Sequence, residues 1–308
     1  MYPDIKETIP DSKKNFLTWF SRGAINLRTE VEKIYNHYLG EPEASLLSGI
    51  VLGVKRGLPQ EFADSLQKTG TLHIIVASGY NVTIIIGTII TLIAGLIRRQ
   101  WAILIGILAV FGYTIMAGAE PAIVRAAIMG SLAYFGQVLG KQSEGIRLLV
   151  VAGLTMILVN PFFLLDLGFQ LSFMATLGLL LMADHFPQVI AETTAAQIMV
   201  WPIILINFGQ LSLFSILVNI LILWLVPYIM VLGAALALVG WIKPVGAVLG
   251  MIAYLPLHLM TVIINWFGEQ SWISWQLEGV SWIFGALYYL ILGAVLIKLN
   301  HVNPKKVV

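Results

Sequence analysis

The sequence predicts an all-α polytopic integral membrane protein, about nine transmembrane helices behind an amphipathic N-terminal helical head, on three observations. Hydrophobic residues fill 58% of 308 positions and charged residues only 11%, with a mean hydropathy of +0.88, which excludes an ordinary soluble domain. Charge is segregated: 18 of the 34 charged residues, nine basic and nine acidic, lie in residues 1–72, leaving 16 for the other 236. Beyond residue 72 the chain falls into long uncharged runs. A net charge of +2 rests on too few groups to argue for a polyanionic partner. The absence of cysteine excludes disulfides, thiolate metal sites and cysteine catalysis.

Residues 1–72 form the polar head. Phe16, Trp19, Phe20, Ile25, Leu27, Val31, Ile34, Tyr35 and Tyr38 recur at roughly helical spacing among charges, predicting a helix that lies on the membrane surface or packs on the body. Leu46 to Val54 is apolar or small but too short to cross, and Gly49, Gly53 and Gly57 at four-residue spacing suit close packing or re-entry.

Residues 73–298 form the membrane domain and 299–308 a cytoplasmic tail. A crossing needs about 20 mostly apolar residues. Residues 74–97 and 101–119 carry no charge, 121–140 hold only Arg125, and 148–183 hold only Asp166, with Asn160-Pro161 as a turn. Residues 193–242 are uncharged and broken by Asn207-Phe208-Gly209-Gln210, while 244–268 and 279–297 each suffice for one crossing. Pro202, Pro227 and Pro256 predict kinks or breaks. Seven of the nine tryptophans follow residue 200, mostly near span ends, as in an aromatic belt.

With nine spans, Arg98, Arg99, Lys141, Arg147, Lys243, Lys298, Lys305 and Lys306 share one face, and the opposite loops have no Lys or Arg. The positive-inside rule then puts the C-terminus in the cytoplasm and the head outside. Residues 1–45 offer no signal peptide or first anchor, so either a longer product has earlier spans or the first helix carries the head across.

No catalytic motif is present. His37, His73, His185, His258 and His301 never show paired-ligand spacing, and no Gly-rich loop ending in Gly-Lys-Ser/Thr occurs. Ser78 and His73, five positions apart, would sit about 140° apart on a continuous helix, a poor nucleophile and base pair. Neither enzymatic activity nor a cofactor or metal is expected. Polar groups at membrane depth are the candidates instead. Arg125 and Asp166 follow Pro121 and Pro161 by four and five residues, at similar depth below the outer surface. They are expected to form an ion pair, which either locks two helices or lines an aqueous path. His73, Ser78, Gly79, Asn81 and Thr83 gather near the outer end of the first span, as an interrupted helix facing a cavity or a continuous one using Gly79 for close packing. Gln170, Ser172, Gln210 and Asn219 add uncharged polar groups.

Four segments, in order, resemble the membrane domain of the ComEC-type competence protein family: "TGTLHIIVASGYNV", "AGAEPAIVRAAIM", "NPFFLLDLGFQLSF" and "NFGQLSLFSILVNILILWLVP". The resemblance runs from about Pro42 to the last span. It implies a multi-pass channel of the cytoplasmic membrane for single-stranded DNA uptake in natural transformation, with a lining or gating role for His73, Ser78, Gly79, Asn81, Arg125, Asp166, Gln170 and Asn219. It also implies a separate DNA receptor and a cytoplasmic ATPase, since no internal energy source is visible; membrane lipid is a further partner, and association into a homo-oligomer is left open. This chain departs from fuller relatives in having no oligonucleotide-binding-like domain and no metallo-β-lactamase-like nuclease motif. The alternatives are a secondary transporter of a small anionic or amphipathic solute and a non-conducting remnant lacking the soluble domains.

Overall fold

The computed structural model describes residues 16–54, 57–75, 79–93, 95–212, 214–270, 272–277 and 279–302. The head supplies α1 (Phe16–Tyr38), α2 (Glu43–Leu52) and α3 (Gln60–Thr69). In α1, Val31 and Tyr35 are buried, while Arg28 pairs with Glu32 at 3.3 Å and Lys33 with Glu30 at 2.7 Å on the outward side. The exposed Lys33 pair adds little stability. Packing on the body decides the position of α1. Its Tyr35 hydroxyl donates to the Gly233 carbonyl at 2.8 Å, and its Tyr38 hydroxyl donates to the Gly240 carbonyl at 2.7 Å. Of the two arrangements the sequence allows for the head helix, the C-terminal half of α1 therefore takes packing on the body.

The body comprises α4 (Gly79–Ile93), α5 (Arg99–Met116), α6 (Pro121–Val138), α7 (Gly145–Val159), α8 (Leu167–Met182), α9 (Gln188–Phe208), α10 (Ser215–Ile222), α11 (Val226–Val239), α12 (Lys243–Gly268) and α13 (Trp282–Val302). Their outer faces are apolar. Leu96, Leu158, Met251, Leu255 and Leu290 are largely exposed, as helices bathed in lipid would be. Among the described residues, six helical stretches are long and apolar enough to cross a membrane: the one ending in α4, α5, α8, α9, the α10–α11 pair and α12. The apolar stretches of α7 and α13 are shorter, and α6, expected as the third span, is not among the six. The fold is thus a helical polytopic bundle, with six stretches whose length and composition suit a crossing.

Of the three prolines expected to kink or break a span, one falls at a break. Pro227 opens α11 directly after a 3₁₀ turn, splitting the seventh expected span into α10 and α11. Pro202 and Pro256 lie inside α9 and α12. Past Gly209 the chain forms β1 (Gln210–Ser212), which pairs antiparallel with β2 (Ser274–Gln276) in the register Gln210 to Gln276. The Leu277 N–H also donates to the Gly209 carbonyl at 2.7 Å.

The largest apolar core lies where the head meets the C-terminal helices. Tyr35, Leu47, Ile50, Leu66, Ile222, Ile229 and Leu257 belong to it, and a smaller core joins α4, α5 and α6. The head is therefore part of the bundle's interior.

Candidate functional site

The first, third and fifth helices of the body, α4, α6 and α8, meet at Arg125. Pro121 stands at the start of α6, where its missing N–H costs nothing, so Arg125 falls one turn into the helix. The guanidinium donates from Nε to the Ser172 hydroxyl on α8 at 2.8 Å, and its Nη1 lies 3.5 Å from Met129 Sδ. On the other side it rests over Gly79, the first residue of α4, where a methyl group would come within 2.7 Å of Arg125 Nη2 and 3.1 Å of Ala126 Cβ. A bare backbone at Gly79 is what lets α4 and α6 approach with the guanidinium between them.

The expected pair between Arg125 and Asp166 does not form. Among the described residues no carboxylate bridges Arg125, and Asp166 is exposed and caps α8, its Oδ1 accepting from the Phe169 N–H at 2.8 Å. A carboxylate here satisfies one of the orphan amides of a helix start. The preceding turn is built likewise, Asn160 Oδ1 accepting from the Phe162 N–H at 3.1 Å.

The other expected residues scatter. His73 sits in a 3₁₀ turn, its Nδ1 3.1 Å from the Gly70 carbonyl. Ser78 lies outside the described residues. Gln170 donates to the Leu164 carbonyl at 2.8 Å, holding the turn before α8. Asn219 is buried in α10, and its Oδ1 has no hydrogen-bond partner among the described residues. Asn81 is buried too, and donates from Nδ2 to the Ile50 carbonyl at 2.8 Å. That carbonyl is in the last turn of α2, where the helix supplies no donor of its own. Arg125 and Asn81 are thus engaged with protein partners.

Sequence reasoning missed a second polar contact. Glu43, at the start of α2, is only 5% exposed. Its Oε1 lies 2.8 Å from His258 Nδ1 on α12 and accepts from the Thr261 hydroxyl at 3.3 Å. Tyr254 stacks on the His258 ring, with its hydroxyl 3.2 Å from Nδ1. Glu43 and His258 are 215 residues apart, and only a carboxylate just ahead of an apolar run signals the contact. No cluster of metal-ligating side chains occurs among the described residues. A cavity of about 580 Å³ opens beside Lys68, Glu269, Gln270 and Trp275, and none of the expected site residues lines it.

Uncharged spans, apolar outer faces and a partly buried guanidinium between three helices define a polytopic helical membrane protein. The chain belongs to the Competence protein family, which matches it over residues 50–301. A relative, ComE operon protein 3 of Bacillus subtilis (strain 168), is 27% identical over 217 residues, which cover 68% of this chain and 28% of the relative. The chain thus spans under a third of that relative's length. No solved structure matches it.

Proposed function

We propose that this protein forms the path by which single-stranded DNA crosses the cytoplasmic membrane in natural transformation, and that the arrangement described above is its closed form. Transport is the role assigned to it, and catalysis is not. The observation that carries this reading is Arg125, a cation on the expected third span that no described carboxylate neutralises, bonded to the Ser172 hydroxyl and packed on Gly79 in a chain of the Competence protein family. An intramembrane cation is costly and marks function by default. A guanidinium that has only to give up Ser172 can offer its donors to a phosphate. A sparse cationic lining also suits a conduit, which must hold its cargo weakly enough to release it.

In this reading the basic loops face the cytoplasm, Arg125, Gly79 and Ser172 border the route, and a DNA receptor and an ATPase are supplied by other chains. Deleting the gene is expected to abolish transformation by purified DNA while leaving DNA bound at the cell surface. Normal transformation in the deletion strain would refute the channel. In complementation, Arg125→Lys is expected to retain part of the uptake and Arg125→Gln to lose it, at equal membrane levels checked by immunoblot.

A further inference from the structure

We infer that the chain passes from one face of the membrane to the other between Tyr38 and Ser65, so that α1 and α3 lie on opposite faces and α2 is a half-helix buried between them. The inference does not rest on the DNA reading; it needs only that α12 crosses the membrane, as its length and composition allow.

Three contacts, spaced along α12, carry it. The Tyr38 ring lies against Gly246 and Gly250, near the Lys243 end, and the Tyr38 hydroxyl reaches Gly240 just before that helix begins. Glu43 meets His258 and Thr261, farther along. Ser65 packs on Gly268, the last residue of α12, where a methyl would lie 2.6 Å from Ser65 Cβ. Beyond it, Gln67 donates to Gln210 Oε1 at 3.1 Å, in the strand that pairs with the loop following α12. Gly246 and Gly268 are separated by about 33 Å at 1.5 Å per residue, close to the roughly 30 Å of a hydrocarbon core. As the head sequence advances, its contacts move from one end of α12 to the other.

The backbone of α2 suits a site without water. All ten of its residues are buried, so its end groups need protein partners. At its start, the Ala44 and Leu46 N–H groups donate to the Gly40 and Pro42 carbonyls, and the Ser45 N–H reaches Glu41 Oε2 at 3.4 Å. At its end, the Ser48 and Gly49 carbonyls accept from Val54 and Gly53, and the Ile50 carbonyl from Asn81. Gly53, at φ 69°, makes the left-handed turn that this ending requires. The flanks are polar by contrast: Arg28, Glu30, Glu32 and Lys33 on α1, and Glu61, Asp64 and Lys68 on α3. By the distribution of Lys and Arg, α1 shares the cytoplasmic face with Lys243. The expectation that put the whole head outside then holds for α3 alone.

The absence of native cysteine makes the test direct. Single variants Asn36→Cys, Glu61→Cys, Lys243→Cys and Glu269→Cys, all at exposed positions, are labelled with a membrane-impermeant maleimide in spheroplasts and in inverted vesicles. Asn36→Cys is expected to react from the same side as Lys243→Cys, and Glu61→Cys from the same side as Glu269→Cys. Trypsin on the unaltered protein gives the same reading without substitution: cleavage at Lys33 from the face that exposes Lys243, and at Lys68 only from the other. Labelling of Asn36→Cys and Glu61→Cys from one face, or cleavage at Lys33 and Lys68 from one face, would overturn the inference.

Discussion

The hydroxyl of Tyr288 donates at 2.9 Å to the carbonyl of Ile198, the oxygen that Pro202, four residues later, leaves without its helical donor. Tyr289 donates to the next carbonyl, Met199, at 2.7 Å. One tyrosine of α13 thus meets the carbonyl freed by the proline in α9, and its neighbour binds beside it. In lipid no water could do so.

Tyr288→Phe is expected to cost about 1 kcal/mol, the usual worth of one hydrogen bond, read as a lower unfolding temperature in detergent. In a Pro202→Ala background the N–H returns to Ile198, and the same tyrosine change should cost much less. A double-mutant cycle measures the coupling, and strict additivity would show that the hydroxyl does not serve the break.

Arg125 and Asp166 act separately in this structure, so exchanging their charges should rescue nothing. Asp166→Asn should be nearly silent because asparagine caps as well as aspartate, whereas Asp166→Ala should cost about 1 kcal/mol. Combined with Arg125→Ala, the losses should add. Recovery in the swapped variant would restore the ion pair to the account.

Gly79→Ala should strain the contact of α4 with α6, because its methyl meets both Arg125 Nη2 and Ala126 Cβ. Overpacking of this kind costs about 1–3 kcal/mol. Adding Ala126→Gly should return part of the loss, as measured by the fraction of monodisperse protein after heating.

Asn81→Leu keeps the bulk and removes the donor from the Ile50 carbonyl. An acceptor left buried and unmet costs about 1–3 kcal/mol. Trypsin cleavage at Lys33 in inverted vesicles and at Lys68 in spheroplasts should become faster as α2 loosens. Unchanged rates would mean that apolar packing alone fixes α2.

Much of the fold was legible because bilayer thickness imposes a ruler that uncharged runs either meet or miss. The Asn160-Pro161 turn, the breaks at Pro227 and the glycine ending α9 followed from backbone chemistry alone. The approach of the Arg125 helix to the Asp166 helix was expected, although Ser172 and not Asp166 makes the contact. The partners were not. Asp166 and Arg125 have opposite charge at similar depth, and the sequence does not show that a local amide claims the carboxylate first; an aspartate directly before an apolar helical run is itself a capping signal. The contact of Glu43 with His258 depends on two segments brought together only by folding. Residues 46–54 were legible as too short to cross alone, but not as the middle of a crossing completed by their neighbours.

The ribbon of β1 and β2 fastens the end of α9 to the loop before α13, and the two tyrosines fasten the same helices again farther along. Helices riveted at two levels swing as one lever. Any rocking that widens the bundle must therefore carry α9 and α13 together.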